Sequence, residues 1–539
     1  MNNVFKKLIA GFSVSCCIFS FCSTGASAAV IDSDEVVSSI QTVRSDSSLP
    51  SSYSSRDSGF VTEIKNQLYS DCWAYAGLAT FESKLLKSGF GIESMSVPHL
   101  NAWATTRSNG TGWMRNPFGD GYGEICLGYL TSWQGGVEEK FAGNITLDNN
   151  TNGDFIDTTL AQYGATEIEY LFKDNPDAIK KAIMENGGVY TSYATTASCY
   201  GSNSTAYFMP STYSSSYTGH AIEVVGWDDN FSRDKFNGRI GKKPVSNGAW
   251  LVKNSWGDYN SLGGYFWISY EDKYVFSSKY RPSYAIKSVE KLDNKSKLIQ
   301  NEIFGATYEF NYVDREEVTY INSFDFDKNY NIIDKVMFKT ECLADYSIYY
   351  VPDENNAPVA DKSKWTKLYS GKPDYKGYIC ADVEDYFIKD NGGSIAITIN
   401  TSEVNKGLSK TDSNYVKNTI GVGEWLKNTS GNYVFLNDSH YGDCYIYYDN
   451  TMSDLLDWYK ENNNDKIGGT FVIKAITKQT LLGDTNLDGT INIVDATSIQ
   501  KYLVQLEDFN DIQKLNADFN KDGKINISDS TEIQKYLAS

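Results

Sequence analysis

Residues 66–74 read NQLYSDCWA, and this stretch decides how the first half of the chain folds. From Cys72 to Lys87, apolar residues recur at helical spacing, which predicts a helix over that range. Ser88-Gly89 follows and is a typical end for a helix. The Cys72 thiol is therefore expected at a helix N-terminus, where unpaired amides and the macrodipole favour an anion and lower a thiol pKa.

Two later stretches contain the residues that a reactive thiol needs beside it. The stretch GHAIEVVGW places His220 in an apolar strand pattern about 150 residues after Cys72, and the chain has only three histidines. The stretch KNSWG contains Asn254. A thiol nucleophile needs a base, the base needs an orienting partner, and the developing oxyanion needs hydrogen-bond donors. The sequence can supply each of these parts.

These three contexts together resemble the papain family of cysteine proteases. The resemblance covers residues 49–280 and implies an α+β domain with a helical half and a β half. It makes Cys72 the nucleophile and His220 its imidazolium partner, which then protonates the leaving amine and activates water. Asn254 would fix the tautomer and tilt of His220. Gln67 resembles the oxyanion-hole glutamine of the family, acting with the backbone N–H of Cys72.

The resemblance also predicts a substrate cleft. Gly121 and Gly123 look like part of its wall, where a residue without a side chain lets a peptide backbone approach closely. A simple turn explains these glycines equally well. Trp256 is the third predicted substrate-binding residue. The resemblance implies that it also shields the contact between His220 and Asn254 from water.

The chain departs from the family pattern just before the nucleophile. The usual GSCGS is LYSD here, so a local disulfide is absent, and Gln67 is one residue nearer to Cys72 than is usual. Asp71 is suited to cap the helix, but its charge would raise the thiol pKa. Residues 229–247 form a polar insertion before Asn254, and we expect this loop near the cleft.

Composition predicts a secreted, extracellular protein. Residues 1–28 read as a secretory signal, and residues 29–48 read as a polar tail or a short pro-segment. The net charge of −19 argues against nucleic acid and against anionic membrane surfaces. No stretch after the signal is apolar enough to cross a bilayer. With Cys72 free, an odd number of cysteines remains, so a complete disulfide framework is not implied. The cysteines whose pairing stays open are Cys126, Cys199, Cys342, Cys380 and Cys444.

Residues 285–475 change character and predict an antiparallel β-sandwich of short alternating strands. The region resembles the lectin-like domain that follows the protease in some bacterial relatives. Its many tyrosines could stack on carbohydrate, but strand propensity and core packing explain most of them. The predicted strands include residues 336–340, 346–350, 394–399 and 470–476.

Residues 481–539 contain an internal repeat, in which DTNLDG at residues 484–489 returns as DFNKDG at residues 518–523. Oxygen-bearing residues at positions 1, 3, 5, 7, 9 and 12, with glycine at position 6, are the pattern of a calcium loop. Two Ca²⁺ ions are therefore predicted, and no cofactor is expected for catalysis. The predicted ligands are Asp484, Asn486, Asp488, Thr490, Asn492 and Asp495, then Asp518, Asn520, Asp522, Lys524, Asn526 and Asp529.

Aspartate at position 12, with helices only after the loops, resembles a type I dockerin. That resemblance implies a small α-helical module whose partner is a cohesin module on the scaffold protein of a cellulosome-type complex. Packing between the two copies is the alternative explanation for Ile493 and Ile527. The residues that the resemblance turns toward the partner are Ile493, Val494, Lys501 and Tyr502, then Ile527, Ser528, Lys535 and Tyr536.

The sequence thus predicts a multidomain secreted endopeptidase that is tethered to a scaffold through its C-terminal module. Two alternatives stay open. The first domain could keep the fold without turnover, as a peptide-binding or inhibitory module. The chain could instead be mainly a carbohydrate-binding component, acting through residues 285–475. The substrate, the scaffold and the activation step are not decided by the sequence.

Overall fold

The computed structural model describes most of the chain after residue 48. The predicted signal (residues 1–28) and polar tail (residues 29–48) lie outside the described residues. No helix in the described part of the chain has the length and apolar character that a membrane span requires. The described residues are 49–201, 203–277, 282–306, 308–311, 313–388, 392–426, 435–436, 440–462 and 467–539.

Helices occur mainly at the two ends of the described chain. Several begin at a side chain that accepts a backbone N–H, such as Ser96 and Asn175, which satisfies an amide left free by helix geometry. The helices are α1 (Cys72–Lys87), α2 (Val97–Trp103), α3 (Gly123–Thr131), α4 (Glu139–Ala142), α5 (Pro176–Asn186), α6 (Leu455–Glu461), α7 (Ile493–Leu503), α8 (Asp511–Ala517) and α9 (Ile527–Ala538).

Most strands lie between α5 and α6 along the chain. The strands are β1 (Ser52–Ser54), β2 (Gly112–Trp113), β3 (Tyr163–Leu171), β4 (Val189–Thr195), β5 (Ala206–Tyr207), β6 (Thr218–Asp228), β7 (Ala249–Lys253), β8 (Tyr265–Ser269), β9 (Ser283–Lys291), β10 (Ser296–Gln300), β11 (Tyr308–Phe310), β12 (Glu317–Asp325), β13 (Ile332–Thr340), β14 (Asp345–Val351), β15 (Asp353–Glu354), β16 (Ala357–Pro358), β17 (Thr366–Gly371), β18 (Gly377–Phe387), β19 (Gly392–Asn400), β20 (Ile420–Leu426), β21 (Phe435–Leu436), β22 (Cys444–Tyr448), β23 (Thr451–Asp454), β24 (Ile467–Phe471) and β25 (Ile473–Lys478).

Helix α1 confirms the helix that the spacing of apolar residues predicted. It begins at Cys72, and its apolar stripe, which includes Leu78, Phe81 and Leu85, is fully buried. The helix ends where Gly89 adopts a positive φ of 86° and the Phe90 N–H returns to the carbonyl of Leu85. This first helix of the papain-like region packs against strands β6 and β9.

One sheet of twelve strands runs through the papain-like region and into the β-rich region. Its order is β10-β25-β13-β18-β3-β9-β4-β6-β7-β8-β5, with β1 paired to β6. The join between the regions is β18 against β3, where Gly377 lies opposite Glu169 and Tyr378 opposite Ile168. Gly377 has a φ of 134°, and a Cβ there would lie 2.0 Å from the Ile168 carbonyl oxygen. Glycine is therefore required at this join.

The β-rich region packs a second sheet, in the order β17-β14-β19-β12-β22-β23, against one end of the long sheet. Ile348, Ile395 and Ile397 of the second sheet share a buried core with Val336 and Phe338 of the first. This is the expected antiparallel sandwich. The single strand predicted at residues 470–476 is wrong in detail, because β24 and β25 divide at Val472 and join different sheets.

The C-terminal repeat is a small helical unit. Helices α7 and α9 each begin with a capping box, formed by Asn492 with Asp495 and by Asn526 with Asp529. The two repeats share a small apolar core. Its buried members are Ala496, Ile499, Phe509, Ala517 and Ile533.

Candidate active site and calcium loops

The Cys72 thiol lies where α1 meets β6. Cys72 is the first residue of α1 and is partly buried, and its Sγ accepts the Ala221 backbone N–H at 3.4 Å. Ala221 follows His220 in β6, so the helix N-terminus and the strand bring the thiol and the imidazole residue side by side. The other described cysteines are also free thiols, but they lie elsewhere in the fold. These are Cys126, Cys199, Cys342, Cys380 and Cys444.

Asn254 binds the imidazole of His220 from the neighbouring strand. Its Oδ1 lies 2.8 Å from His220 Nε2 and also accepts the Ser255 N–H at 2.9 Å. Strands β6 and β7 are antiparallel, with Glu223 opposite Lys253, so the start of β6 and the end of β7 meet here. The Trp256 ring stacks on the imidazole with 4.6 Å between centroids. Trp256 therefore covers one face of His220, and its part in substrate binding stays a prediction.

Burial controls the protonation of both groups. It raises the pKa of the Cys72 thiol to about 12, opposed by the Ala221 N–H and reinforced by the carboxylates of Asp120 and Asp71. Burial also lowers the pKa of His220 to about 4, opposed by the hydrogen bond with Asn254. Both directions favour a neutral thiol beside a neutral imidazole in the free protein. This differs from the imidazolium partner that we expected, and desolvation of the site is the reason.

Asp71 does not cap α1, which corrects the sequence interpretation. Its side chain makes no capping hydrogen bond, and its Oδ2 instead accepts from Asn101 Nδ2 at 2.9 Å. The other oxygen, Oδ1, is buried without a hydrogen-bond partner among the described residues. Burial raises the pKa of Asp71, while the hydrogen bond from Asn101 and the charge of Arg115 lower it. Its effect on the thiol pKa is upward.

Gln67 is held at both ends of its side chain. Its Oε1 accepts from Ser255 Oγ at 2.5 Å, and its Nε2 donates to the Tyr69 carbonyl at 2.8 Å. Its backbone N–H also donates to the Ser255 carbonyl. One N–H of Nε2 is left over for an oxyanion, a role that stays a prediction. Ser255 is not among the residues predicted for the site, although its position inside the NSWG motif was a signal for a role.

The two cleft glycines have packing reasons of their own. A Cβ at Gly121 would lie 2.6 Å from the Trp73 ring, and one at Gly123 would lie 2.7 Å from the rings of Tyr190 and Tyr284. Gly123 is buried as the first residue of α3. Close packing against aromatic rings therefore explains why both positions need glycine. Contact with a peptide substrate stays a prediction for both.

The insertion at residues 229–247 connects the end of β6 to the start of β7, where Asp228 pairs with Ala249. Its two ends therefore lie eight residues along β6 from His220. Its middle returns toward residue 198, because the Ile240 N–H donates to the Ser198 carbonyl at 3.2 Å. A place for this loop near the cleft stays a prediction.

The repeated loops bring carboxylates inward. In the first loop Asp484 accepts the Gly489 N–H at 2.9 Å, and Asp495 accepts the Thr485 N–H at 2.8 Å. Burial raises the pKa of Asp484, and the charges of Asp495 and Asp488 raise it further. Repulsion between converging carboxylates is what a divalent cation relieves, so these residues fit Ca²⁺.

The second loop repeats this arrangement. Asp518 accepts the Gly523 N–H at 2.9 Å, and the fully buried Asp529 accepts the Asn520 N–H at 3.2 Å. Within the residues described, no group of three or more His, Cys, Asp or Glu side chains is arranged as a metal site. The remaining predicted ligands lie in these same two turns. These are Asn486, Thr490, Asn492, Asp522, Lys524 and Asn526.

The residues predicted to face a cohesin are mostly on the surface. Ile493 and Ile527 are 57% and 58% exposed, so packing between the copies does not account for them. Tyr536 is 56% exposed, whereas the Tyr502 ring stacks on Phe509 with 4.4 Å between centroids. The two copies therefore present different aromatic surfaces. Val494, Lys501, Ser528 and Lys535 are also exposed.

Tyrosines of the β-rich region are largely core residues. Tyr320, Tyr378 and Tyr459 are among the largest fully buried side chains. Of the described tyrosines in this region, Tyr369 and Tyr441 are large exposed hydrophobic residues, at 37% and 62%. Core packing therefore explains most of this composition, and carbohydrate binding stays a prediction.

Comparison with known families gives two matches. The family model for papain family cysteine proteases matches residues 49–286, and the model for the dockerin type I domain matches residues 482–538. Fruit bromelain from Ananas comosus is 24% identical over 234 residues, which is 41% of this chain and 54% of that protein. Ananain from the same plant is 25% identical over 228 residues. The chain spans about half the length of these plant relatives.

Solved structures extend the likeness beyond the first domain. The clostridial cysteine protease Cwp84, in its form after propeptide cleavage, is 32% identical with a TM-score of 0.68, covering 80% of this chain and all of that one. The cysteine protease and lectin-like domains of Cwp84 from Clostridium difficile give 33% and 0.67, covering 80% of this chain and 89% of that one. This chain belongs to the papain family of cysteine proteases. It is similar to Cwp84 through its β-rich region and carries a dockerin type I domain after it.

Proposed function

We propose that this chain is a secreted cysteine endopeptidase that hydrolyses peptide bonds at Cys72 with His220 and Asn254. The observation that carries the proposal is the meeting of α1 with β6. There the Cys72 sulfur lies 3.4 Å from the amide next to His220, and Asn254 binds the imidazole at 2.8 Å. The pattern of residues 1–28 supports secretion.

Each residue has a definite part in the reaction. The thiol proton passes to His220, and the sulfur attacks the scissile carbonyl carbon. The oxyanion that forms accepts from the Cys72 N–H and from the second N–H of Gln67 Nε2. His220 then gives its proton to the leaving amine, and a thioester remains on Cys72. Water hydrolyses this thioester, with His220 again as the base.

The C-terminal unit would tether the enzyme. In this proposal each repeat binds one Ca²⁺ through its loop oxygens, and the exposed residues around Ile493 and Ile527 bind a cohesin on a cellulosome-type scaffold. Calcium would stabilise the fold of both loops, because it neutralises carboxylates that otherwise repel one another. Protein or peptide would be the substrate of the tethered enzyme.

Labelling with an epoxysuccinyl thiol-protease probe, followed by peptide mapping, tests the catalytic part. We expect modification of Cys72 alone, and its loss in His220→Ala. Cys380→Ala is the matched control, since Cys380 is the other half-buried free thiol and its removal should leave labelling unchanged. A folded protein that fails to react at Cys72 and releases no peptide would favour the peptide-binding module instead.

A further inference from the structure

Asn254 is held at both ends of its side-chain amide. Its Oδ1 faces His220 Nε2 and the Ser255 N–H, and its Nδ2 donates to the Tyr259 hydroxyl at 3.1 Å. The two ends of an amide are nearly identical in shape, so packing alone does not decide which end faces the imidazole. The Ser255 N–H decides it, because a backbone N–H can only donate and therefore requires the amide oxygen.

The orientation of the amide fixes the tautomer of His220. An amide oxygen at Nε2 requires the imidazole proton on that nitrogen, which leaves Nδ1 free to take the proton of Cys72. A flipped amide would present its N–H to Nε2 and favour the other tautomer. That tautomer has no lone pair on Nδ1 for the thiol proton.

We propose that Tyr259 is a positioning residue of this site, because its hydroxyl accepts from Asn254 Nδ2 and so anchors the far end of the amide whose Oδ1 binds His220. The inference rests on the proposed function, since the position of the imidazole affects the rate only if His220 is the base. Tyr259 acts on the imidazole entirely through Asn254. No motif in the sequence pointed to this residue.

The ring and the hydroxyl of Tyr259 have separable roles. The ring lies edge-on to Trp256 with 5.6 Å between centroids, and Trp256 in turn stacks on His220. Burial raises the pKa of Tyr259, so the hydroxyl stays neutral and offers its lone pairs to the amide. Phenylalanine at this position keeps the ring contact and removes only the acceptor.

Kinetics of Tyr259→Phe test the proposal. We expect kcat to fall about three- to tenfold with KM unchanged, the effect of losing one buried hydrogen bond. Tyr270→Phe is the matched control, because its hydroxyl donates to Asp229 at the far end of the hairpin and its loss should leave kcat unchanged. Equal losses in the two variants, or no loss in Tyr259→Phe, would overturn the positioning role.

Nitrogen NMR of histidine-labelled protein reads the tautomer directly, and three histidines give a simple spectrum. We expect His220 protonated on Nε2 in the wild type and in Tyr259→Phe, because the Ser255 N–H keeps Asn254 Oδ1 facing the imidazole in both. A wild-type imidazole protonated on Nδ1 would contradict the proposal, because Nδ1 could not then take the proton of Cys72.

A double variant separates this inference from the proposed function. On an Asn254→Ala background, Tyr259→Phe should have no further effect on kcat, because the amide it positions is gone. The same several-fold loss on that background would overturn the inference alone. Full activity in Asn254→Ala would instead count against the orienting step of the proposed function.

Discussion

At the scale of single residues, the reactivity of Cys72 is a balance between helix amides and burial. The N-terminus of α1 and the Ala221 N–H favour the thiolate, but burial and the charges of Asp120 and Asp71 oppose it more strongly. The thiolate is the form that alkylating agents and oxidants attack. A neutral thiol in the free enzyme would therefore react slowly with both.

Asp71→Asn should lower the pKa of the Cys72 thiol, because it removes a nearby negative charge and keeps an oxygen for Asn101. The rate of alkylation by iodoacetamide, followed against pH, measures this shift. The profile should move to lower pH in the variant. Asp57→Asn, a change at an exposed and remote carboxylate, is the control and should leave the profile in place.

At the scale of elements, Glu271 holds the loop at residues 229–247. Glu271 accepts the Val245 N–H at 2.6 Å and both the N–H and the hydroxyl of Ser246. Glu271→Ala should therefore loosen the loop and speed tryptic cleavage after Lys242, with kcat/KM unchanged. Limited proteolysis and peptide hydrolysis on the same sample measure the two effects. A matching loss of activity would show that the loop reaches the cleft after all.

The paired calcium loops should act as separate binding elements. Asp495→Ala and Asp529→Ala each remove the last ligand of one loop, so calorimetry should count one Ca²⁺ in each variant and two in the wild type. Excess chelator should unfold α7 to α9 and abolish cohesin capture, because metal binding is coupled to folding. Helices that persist in chelator, with cohesin still bound, would refute the calcium assignment.

At the scale of the whole molecule, a buried ion pair lies where the two large regions meet. Lys474 of β25 lies 3.4 Å from Glu302, both are fully buried, and the ammonium also donates to the Thr131 carbonyl at the end of α3. Glu302 accepts the backbone N–H groups of Phe304 and Gly305. The β-rich region therefore meets the papain-like region at a buried charge, through the contact of Lys474 with the Thr131 carbonyl.

Lys474→Met should lower the free energy of unfolding by about 3–5 kcal/mol, because it leaves the Glu302 carboxylate buried without its cation. Denaturant unfolding, followed by tryptophan fluorescence, measures the change. Adding Glu302→Gln should restore part of the loss. Lys335→Met, which breaks the half-exposed pair with Glu290, should cost only about 0–1 kcal/mol. Equal costs for the two pairs would contradict a special role for the buried one.

The periodicity and spacing of residues predicted the features that depend only on residues close together in the sequence. The limits of α1 and the strand containing His220 follow from periodicity, and the two repeated loops follow from spacing. What failed depends on distant partners. Asn101, distant in sequence, took the carboxylate of Asp71 that was expected to cap a helix, and the strand predicted at residues 470–476 divides between two sheets at Val472.

The strand that precedes the dockerin has a mechanical consequence. Strand β25 lies between β10 and β13, and it ends a few residues before the dockerin match at residue 482. A pull on the tether would run along this strand, across hydrogen bonds that lie perpendicular to it. Those bonds would bear the load together, in shear, instead of opening one after another. A force on an anchored molecule would thus be carried by the hydrogen bonds on both sides of β25, inside its largest sheet.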